Sequence, residues 1–311
     1  MRVPHMESMK GFEEIDSNWF PSPFGQGDQK GTLNHISGEK VIRSLQIPKL
    51  GKVFRLSHLM SERMAYRQTH GSYFFTTSLR SADYHPPFKS ETENVFGANI
   101  GRLELSDHSG THIDSLNHIS IGGRLYNGHN ASEVIGPRGS SMLGIDSTPP
   151  IVTRGLIIDL PSIRGVDVVE DSGPSEGEIL RFFREHEIVP EKGDAVFVYT
   201  GASRLWNDPD RFSGFYDKSS GIGMECARWL VSSRISLSGS DAPSSEVSPS
   251  EIKGAMLPVH QYLITINGMR IIDNLKLDEV CLNGAYEFLF VCAPLALSGG
   301  TGSPVSPLAI V

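Results

Sequence analysis

Cysteine is scarce in this chain, and its pattern excludes as much as its number. Cys226, Cys281 and Cys292 are odd in count, far apart and without a CxxC pair, so they form neither a disulfide framework nor a cysteine-bound zinc module. Such thiols are expected to be small packed hydrophobes in a reducing compartment. Long apolar runs are missing too. The longest, near residues 287–297, is broken by Ala293 and Pro294 and falls well short of the roughly 20 residues of a membrane span. The opening stretch MRVPHMESMKGFEEID carries acids early and has no apolar core of signal-peptide length, which gives the expectation of a cytoplasmic protein. Positive charge is in deficit: 28 Lys and Arg stand against 36 Asp and Glu, a net charge of −8, with no basic block. Neither nucleic acid nor a membrane is therefore an expected partner.

Two further signatures are absent. The glycine-rich stretch GQGDQKGTLNHIS has Lys30 ahead of Gly31 rather than a GK followed by Ser or Thr, so it is not a phosphate loop. Ser109 and Ser115 sit near histidines but lie in no GxSxG elbow, which leaves a serine nucleophile without a geometry. What is abundant is turn-forming residues. Thirty-two glycines and nineteen prolines spread along the chain indicate short elements and a mixed, β-rich α/β fold. Composition never shifts sharply, so one domain over residues 51–311 is expected, with an N-terminal extension over 1–50 packed on it.

Periodicity predicts a helix over 38–46, ending before Pro48; after VFRLSHLM (53–60) a polar, aromatic segment runs through HGSYFFTT (70–77), an expected excursion over a pocket. NIGRLEL (99–105) alternates as a strand, and RLYNG (124–128) reads as a turn. RGLIIDL (154–160) and GDAVFVYTG (193–201) are buried-strand runs flanking a polar helix at 174–187, the order of a crossover unit. A helix over 224–233, a strand over 234–241 and a last central strand over 289–297 complete the expected core.

The functional signal is DHSGTHIDSLNH (107–118), three histidines and two aspartates in twelve positions. Imidazole with carboxylate is a ligand set for Zn²⁺ or Mn²⁺. On a helix Asp114 would fall about 200° from His112, splitting the cluster. Fully extended, residues ten apart would be about 33 Å from one another. The chain must therefore bend, and Gly110 is the permissive residue for it. This places His108 on a turn, His112 and Asp114 on one face of a short strand, and His118 just beyond. A second cluster lies in PVHQYLITINGMRIIDNL (258–275). Either a hairpin turn at Asn267-Gly268 or a helix ending at Gly268 before a strand would bring His260 and Asp273 together.

Taken together, these residues resemble the metal-dependent cyclase family that includes bacterial kynurenine formamidases and isatin hydrolases. The family signature His-x-Gly-Thr-His-x-Asp-x-Pro-x-His stands here as His108, Gly110, Thr111, His112, Asp114 and His118, with Leu116 in the proline position. The likeness continues through GDQKGTLN (27–34), YNG (126–128), GSDAPS (239–244) and GTGSPVSPLAI (300–310). It implies a swivelling β/β/α fold and subunits assembled as homodimers or homotetramers. It also implies a first metal on His108, His112 and Asp114, with Asp114 bridging to a second on His260 and Asp273, where the family usually supplies Glu. His118 corresponds to the acid/base histidine. Trp19, Phe74 and Phe75 are candidates to shape an aromatic pocket, with packed core as the alternative. The expected activity is hydrolysis of a small amide, lactam or lactone with one or two Zn²⁺ or Mn²⁺ per subunit. The alternatives are a metal-dependent cyclisation or dehydration of a small carbonyl compound, and a noncatalytic metal-binding protein of the same fold.

Overall fold

The structure is a computed structural model that describes residues 19–81 and 97–311. Residues 1–18 of the expected extension lie outside the described residues. The strands are β1 (Val53–Arg55), β2 (Phe74–Leu79), β3 (Ile100–Glu104), β4 (His112–Asp114), β5 (Ile135–Gly136), β6 (Gly139–Ser140), β7 (Ile151–Asp159), β8 (Ala195–Tyr199), β9 (Leu237–Ser240), β10 (Arg270–Asp273), β11 (Glu287–Cys292), β12 (Gly302–Pro304) and β13 (Leu308–Ile310).

Nine of them make one sheet in the order β1-β13-β11-β7-β8-β9-β10-β4-β12. Its centre, β7-β8-β9-β10, is parallel, and both flanks are antiparallel. The predicted crossover is present. The helix Glu176–Glu185 joins β7 to β8, started by a capping box in which Ser175 and Glu178 each bond the other's backbone N–H. Strand alternation sorts the side chains into two cores. Leu156, Ile158, Val196 and Val198 face a helical layer with Phe182, Phe183, Trp229 and Leu263. On the other face Ile157, Ala195 and Phe197 pack with Phe54, Ile113, Phe288 and Phe290. The sheet also curls. The chain leaving β1 meets the chain leaving β10, through a bridge between Ser57 and Leu275 and a bond from Lys276 N–H to the Leu56 carbonyl at 2.9 Å.

Several elements differ from the sequence reading. β11 stops at Cys292 and is not last, because Pro294 follows closely and β12 and β13 come after it. The 99–105 run and the aromatic excursion do not join the main sheet. They pair with each other as a β2–β3 ribbon whose residues are exposed or half-buried throughout. Asn267-Gly268 is not a hairpin turn: a helical stretch, Pro258–His260 continued as a π-helix over Gln261–Ile266, ends there and β10 follows.

That reversal has a tight geometry. Gly268 has φ +67°, and a Cβ on it would sit 2.5 Å from the Tyr126 ring and 2.9 Å from Gly31 Cα. The Gly268 carbonyl accepts from Thr32 N–H at 2.9 Å, and Arg270, fully buried, donates to the carbonyls of Gln29 and Lys30. Residues 29–32 are thus docked on the turn that launches β10. Gly268→Ala combines a left-handed backbone with overpacking and should destabilise the protein by about 2 kcal/mol or more. A shift in the urea midpoint at unchanged slope measures it.

Candidate metal centre

Turn, strand and sheet register build the site. Gly110 takes φ +62°, the bend that lets His108 fold back over β4. Its carbonyl is pinned from two sides, accepting from His112 Nδ1–H at 2.9 Å and from Asn274 Nδ2–H at 2.9 Å. The first of these bonds leaves the His112 Nε2 lone pair free to face the cluster. β4 lies between β10 and β12, with Asp273 opposite His112 and Gly302 opposite Asp114. His260 arrives on the helical stretch before β10, its Nδ1–H donating to Glu246 Oε2 at 2.6 Å and its backbone N–H to the same oxygen at 2.9 Å.

The five predicted ligands and His118 meet around Asp114. Asp114 Oδ1 is 3.0 Å from His108 Nδ1 and 3.8 Å from His112 Nε2. Asp114 Oδ2 is 3.9 Å from His118 Nε2 and 3.7 Å from His260 Nε2. His112 Nε2 is also 3.6 Å from Asp273 Oδ2. Two sets have ligand atoms all within 4.8 Å of one another: His108, Asp114 and His118, and Asp114, His260 and Asp273. Asp114 belongs to both, His118 falls in the first set by distance, and His112 lies beside both.

The donor set fits a cation. Both Asp114 oxygens, Asp273 Oδ1 and His108 Nδ1 are buried without a hydrogen-bond partner among the described residues, although the last lies close to Asp114. Unpaired buried carboxylate oxygens are expensive unless an ion or donor meets them. The electrostatics agree. Burial and the Asp114 charge push the Asp273 carboxyl up to about 7. Burial opposes charge on His260, but the hydrogen bond and charge of Glu246 outweigh it and raise it to about 9. Burial lowers His112 to about 3 and His118 to about 4, so both are neutral at pH 7.

A narrow cleft leads to the cluster past Tyr66, Arg67, His70 and Tyr216. Arg67 stacks over the Tyr216 ring at 5.2 Å. Phe74 and Phe75 are 48% and 50% exposed on the ribbon and do not line this cleft. Consecutive strand residues project to opposite faces, and among the described residues both faces of the ribbon are exposed or half-buried. Trp19 is half-buried edge-on to Phe20. Tyr66, Arg67 and His70 lie on the polar, aromatic segment expected over a pocket, whereas nothing in the sequence points to Tyr216 or Glu246: no local pattern ties Glu246 to His260, 14 positions away.

The Cyclase family model matches residues 54–247, more than half of the 311. The chain belongs to the cyclase family. It is 27% identical over 223 residues to kynurenine formamidase of Bacillus mycoides (strain KBAB4), covering 70% of this chain and 85% of that protein. Among solved structures, one described as a novel cyclase superposes with a TM-score of 0.84 at 24% identity, over 93% of this chain and 96% of the other. Isatin hydrolase A from Ralstonia solanacearum superposes with a TM-score of 0.62 at 19% identity, over 83% and 91%. These likenesses agree with the expected mixed α/β cyclase-type single domain.

Two outcomes test the centre. Asp114→Ala should remove metal from both sets, whereas His260→Ala should remove it from the second alone, as read by elemental analysis of protein purified under one protocol. The pH dependence has a definite sign. His260 and Asp273 have raised values in the folded protein, so the folded state holds their protons more tightly than the unfolded chain does. Stability from His260 is present below its unfolded value near 6.5 and is lost as pH rises through about 9. Metal-free protein should therefore lose unfolding free energy between pH 7 and 9, checked by urea denaturation after chelation.

Proposed function

We propose that the protein is a metal-dependent hydrolase that opens or cleaves a small amide, lactam or lactone with an activated water. The observation that carries this reading is the shared, hydrogen-bond-free Asp114 carboxylate between two ligand sets, with a neutral histidine beside it. Relatives named for a formamidase and an isatin hydrolase support the same chemistry. We assign His108, His112 and Asp114 to the first cation, and Asp114, His260 and Asp273 to the second. Nitrogen and oxygen donors suit Zn²⁺ and Mn²⁺ alike. A divalent cation held there would supply Lewis acidity, acidifying a water and polarising the carbonyl under attack.

The chain's own groups do the rest. His118 is the proton carrier: its side chain is 25% exposed while His108, His112 and His260 are at most 6% exposed, so it alone exchanges protons readily with solvent. Neutral at pH 7, it takes the proton from the attacking water at Nε2 and returns it to the leaving nitrogen or oxygen. Glu246 fixes the His260 ring, and the Gly110 carbonyl fixes that of His112, so neither reorients during the reaction. Tyr66, Arg67, His70 and Tyr216, which line the cleft, are the groups placed to meet a substrate. We place the enzyme in the cytoplasm as a homodimer or homotetramer.

His118→Ala should keep its metal content and lose about 10² to 10⁴ in kcat, the usual worth of a positioned acid/base. Loss of metal would make it a ligand. Turnover in H₂¹⁸O should place the label in the product acid; release of unlabelled water would indicate dehydration instead.

A further inference from the structure

We propose that Thr301, anchored by Asp107, is a positioning residue that sets the tautomer of His108 and thereby aims its Nδ1 lone pair at the cation. The proposal rests on the cation reading of the site and not on the amide chemistry.

His108 differs from the other imidazoles of the cluster. It turns Nδ1 toward Asp114, at 3.0 Å, where His112 and His260 turn Nε2. A neutral imidazole that gives Nδ1 to a cation must carry its proton on Nε2, and that proton needs an acceptor. The atom at that position is Thr301 Oγ1, 2.9 Å from His108 Nε2. A hydroxyl can donate or accept, so a threonine alone would not fix the tautomer. Asp107 removes the ambiguity. Its Oδ2 accepts from Thr301 Oγ1–H at 2.8 Å, from Thr301 N–H at 2.9 Å and from Gly302 N–H at 3.1 Å. An ionised carboxylate has no proton to give. A hydroxyl bond to a carboxylate is also about twice as strong as one between neutral groups. The Thr301 proton is therefore committed to Asp107, and its oxygen is left to accept from His108 Nε2–H.

The backbone around this chain of bonds is built for it. Thr301 stands at the entry to β12, and its carbonyl accepts from Ser115 N–H at 3.0 Å, fastening the loop to the end of β4. The next residue is a glycine with a reason: a Cβ on Gly302 would lie 2.7 Å from His108 Cε1 and 3.0 Å from Nδ1. Thr301 and Gly302 thus act as one cradle, the hydroxyl setting the proton and the bare Cα admitting the ring.

The test uses Zn²⁺ alone, with affinity at the first set read by chelator competition at pH 7 and folding read by circular dichroism. Thr301→Val keeps the shape and removes the hydroxyl; it should weaken the first Zn²⁺ by about 10- to 100-fold. Thr301→Ser restores the hydroxyl and should return affinity to within about 3-fold of the wild type, a rescue expected of a side-chain hydrogen bond. Long-range ¹H–¹⁵N spectra of the Zn²⁺-loaded wild type should show His108 protonated at Nε2. Wild-type affinity in a folded Thr301→Val protein would overturn the proposal, as would a Ser variant as weak as the Val one. A His108 ligated through Nε2 would overturn it even if no variant folds. A wild type that binds no Zn²⁺ would defeat the cation reading itself, whereas absence of amide turnover with Zn²⁺ bound would defeat only the proposed function.

Discussion

The burial of Asp114 is the constraint on which the rest of the site depends. A carboxylate 1% exposed, with neither oxygen hydrogen-bonded among the described residues, lies among four imidazoles and a second buried carboxylate, Asp273. Taking such a group out of water costs several kcal/mol unless positive charge meets it. Much of the local architecture supplies or orients that charge. The Gly110 bend brings His108 back, the Gly110 carbonyl turns His112, and Glu246 turns His260. Glu246 raises His260, whereas burial lowers His112 and His118.

The scaffold explains how three distant stretches hold one carboxylate. β4 is only three residues long, too short to fix itself, yet it is clamped on both sides by β10 and β12. β10 is in turn held by the parallel centre of the sheet and by residues 29–32, which dock at Gly268 and Arg270. A tilt of either neighbour would move the ligands relative to one another. Their precision comes from core packing on both faces of β7 and β8 and not from the motif alone.

How much of this was legible in the sequence follows a physical division. The first ligand set could be placed because turn, bend and strand follow one another within a few residues. Gly110, His112 and Asp114 carried that reading, and the strand His112–Asp114 is where it was expected. The crossover and its helix were legible from the two buried-strand runs and the polar stretch between them. The β2–β3 ribbon was not, because alternating apolar residues signal a half-buried strand and say nothing of which sheet receives it. The sequence at Asn267-Gly268 suits two structures, and the packing of Gly268 against Gly31 and Tyr126, which accompanies the helical one, is a long-range contact. Glu246 lies outside any motif, and Asp107 and Thr301, though inside motif stretches, carry no sign there of their roles: Glu246 and Thr301 act through a bond to a histidine, and Asp107 through Thr301.

The two ligand sets also differ in what the chain must do to make them. His108, His112 and Asp114, assigned above to the first cation, lie on one short stretch, whereas His260 and Asp273 come from far along the chain. The unfolded polymer already carries the first trio at high local concentration, and a cation can bind it without the sheet. The second trio exists only once the long loop between β4 and β10 has closed, with its entropic cost met by the core. A cation there binds the native state alone, so its binding free energy adds to global stability, while one on the first set shares part of its affinity with the unfolded chain. The site is therefore also a record of assembly: the near ligands can be loaded during folding, and the far ones only at its end.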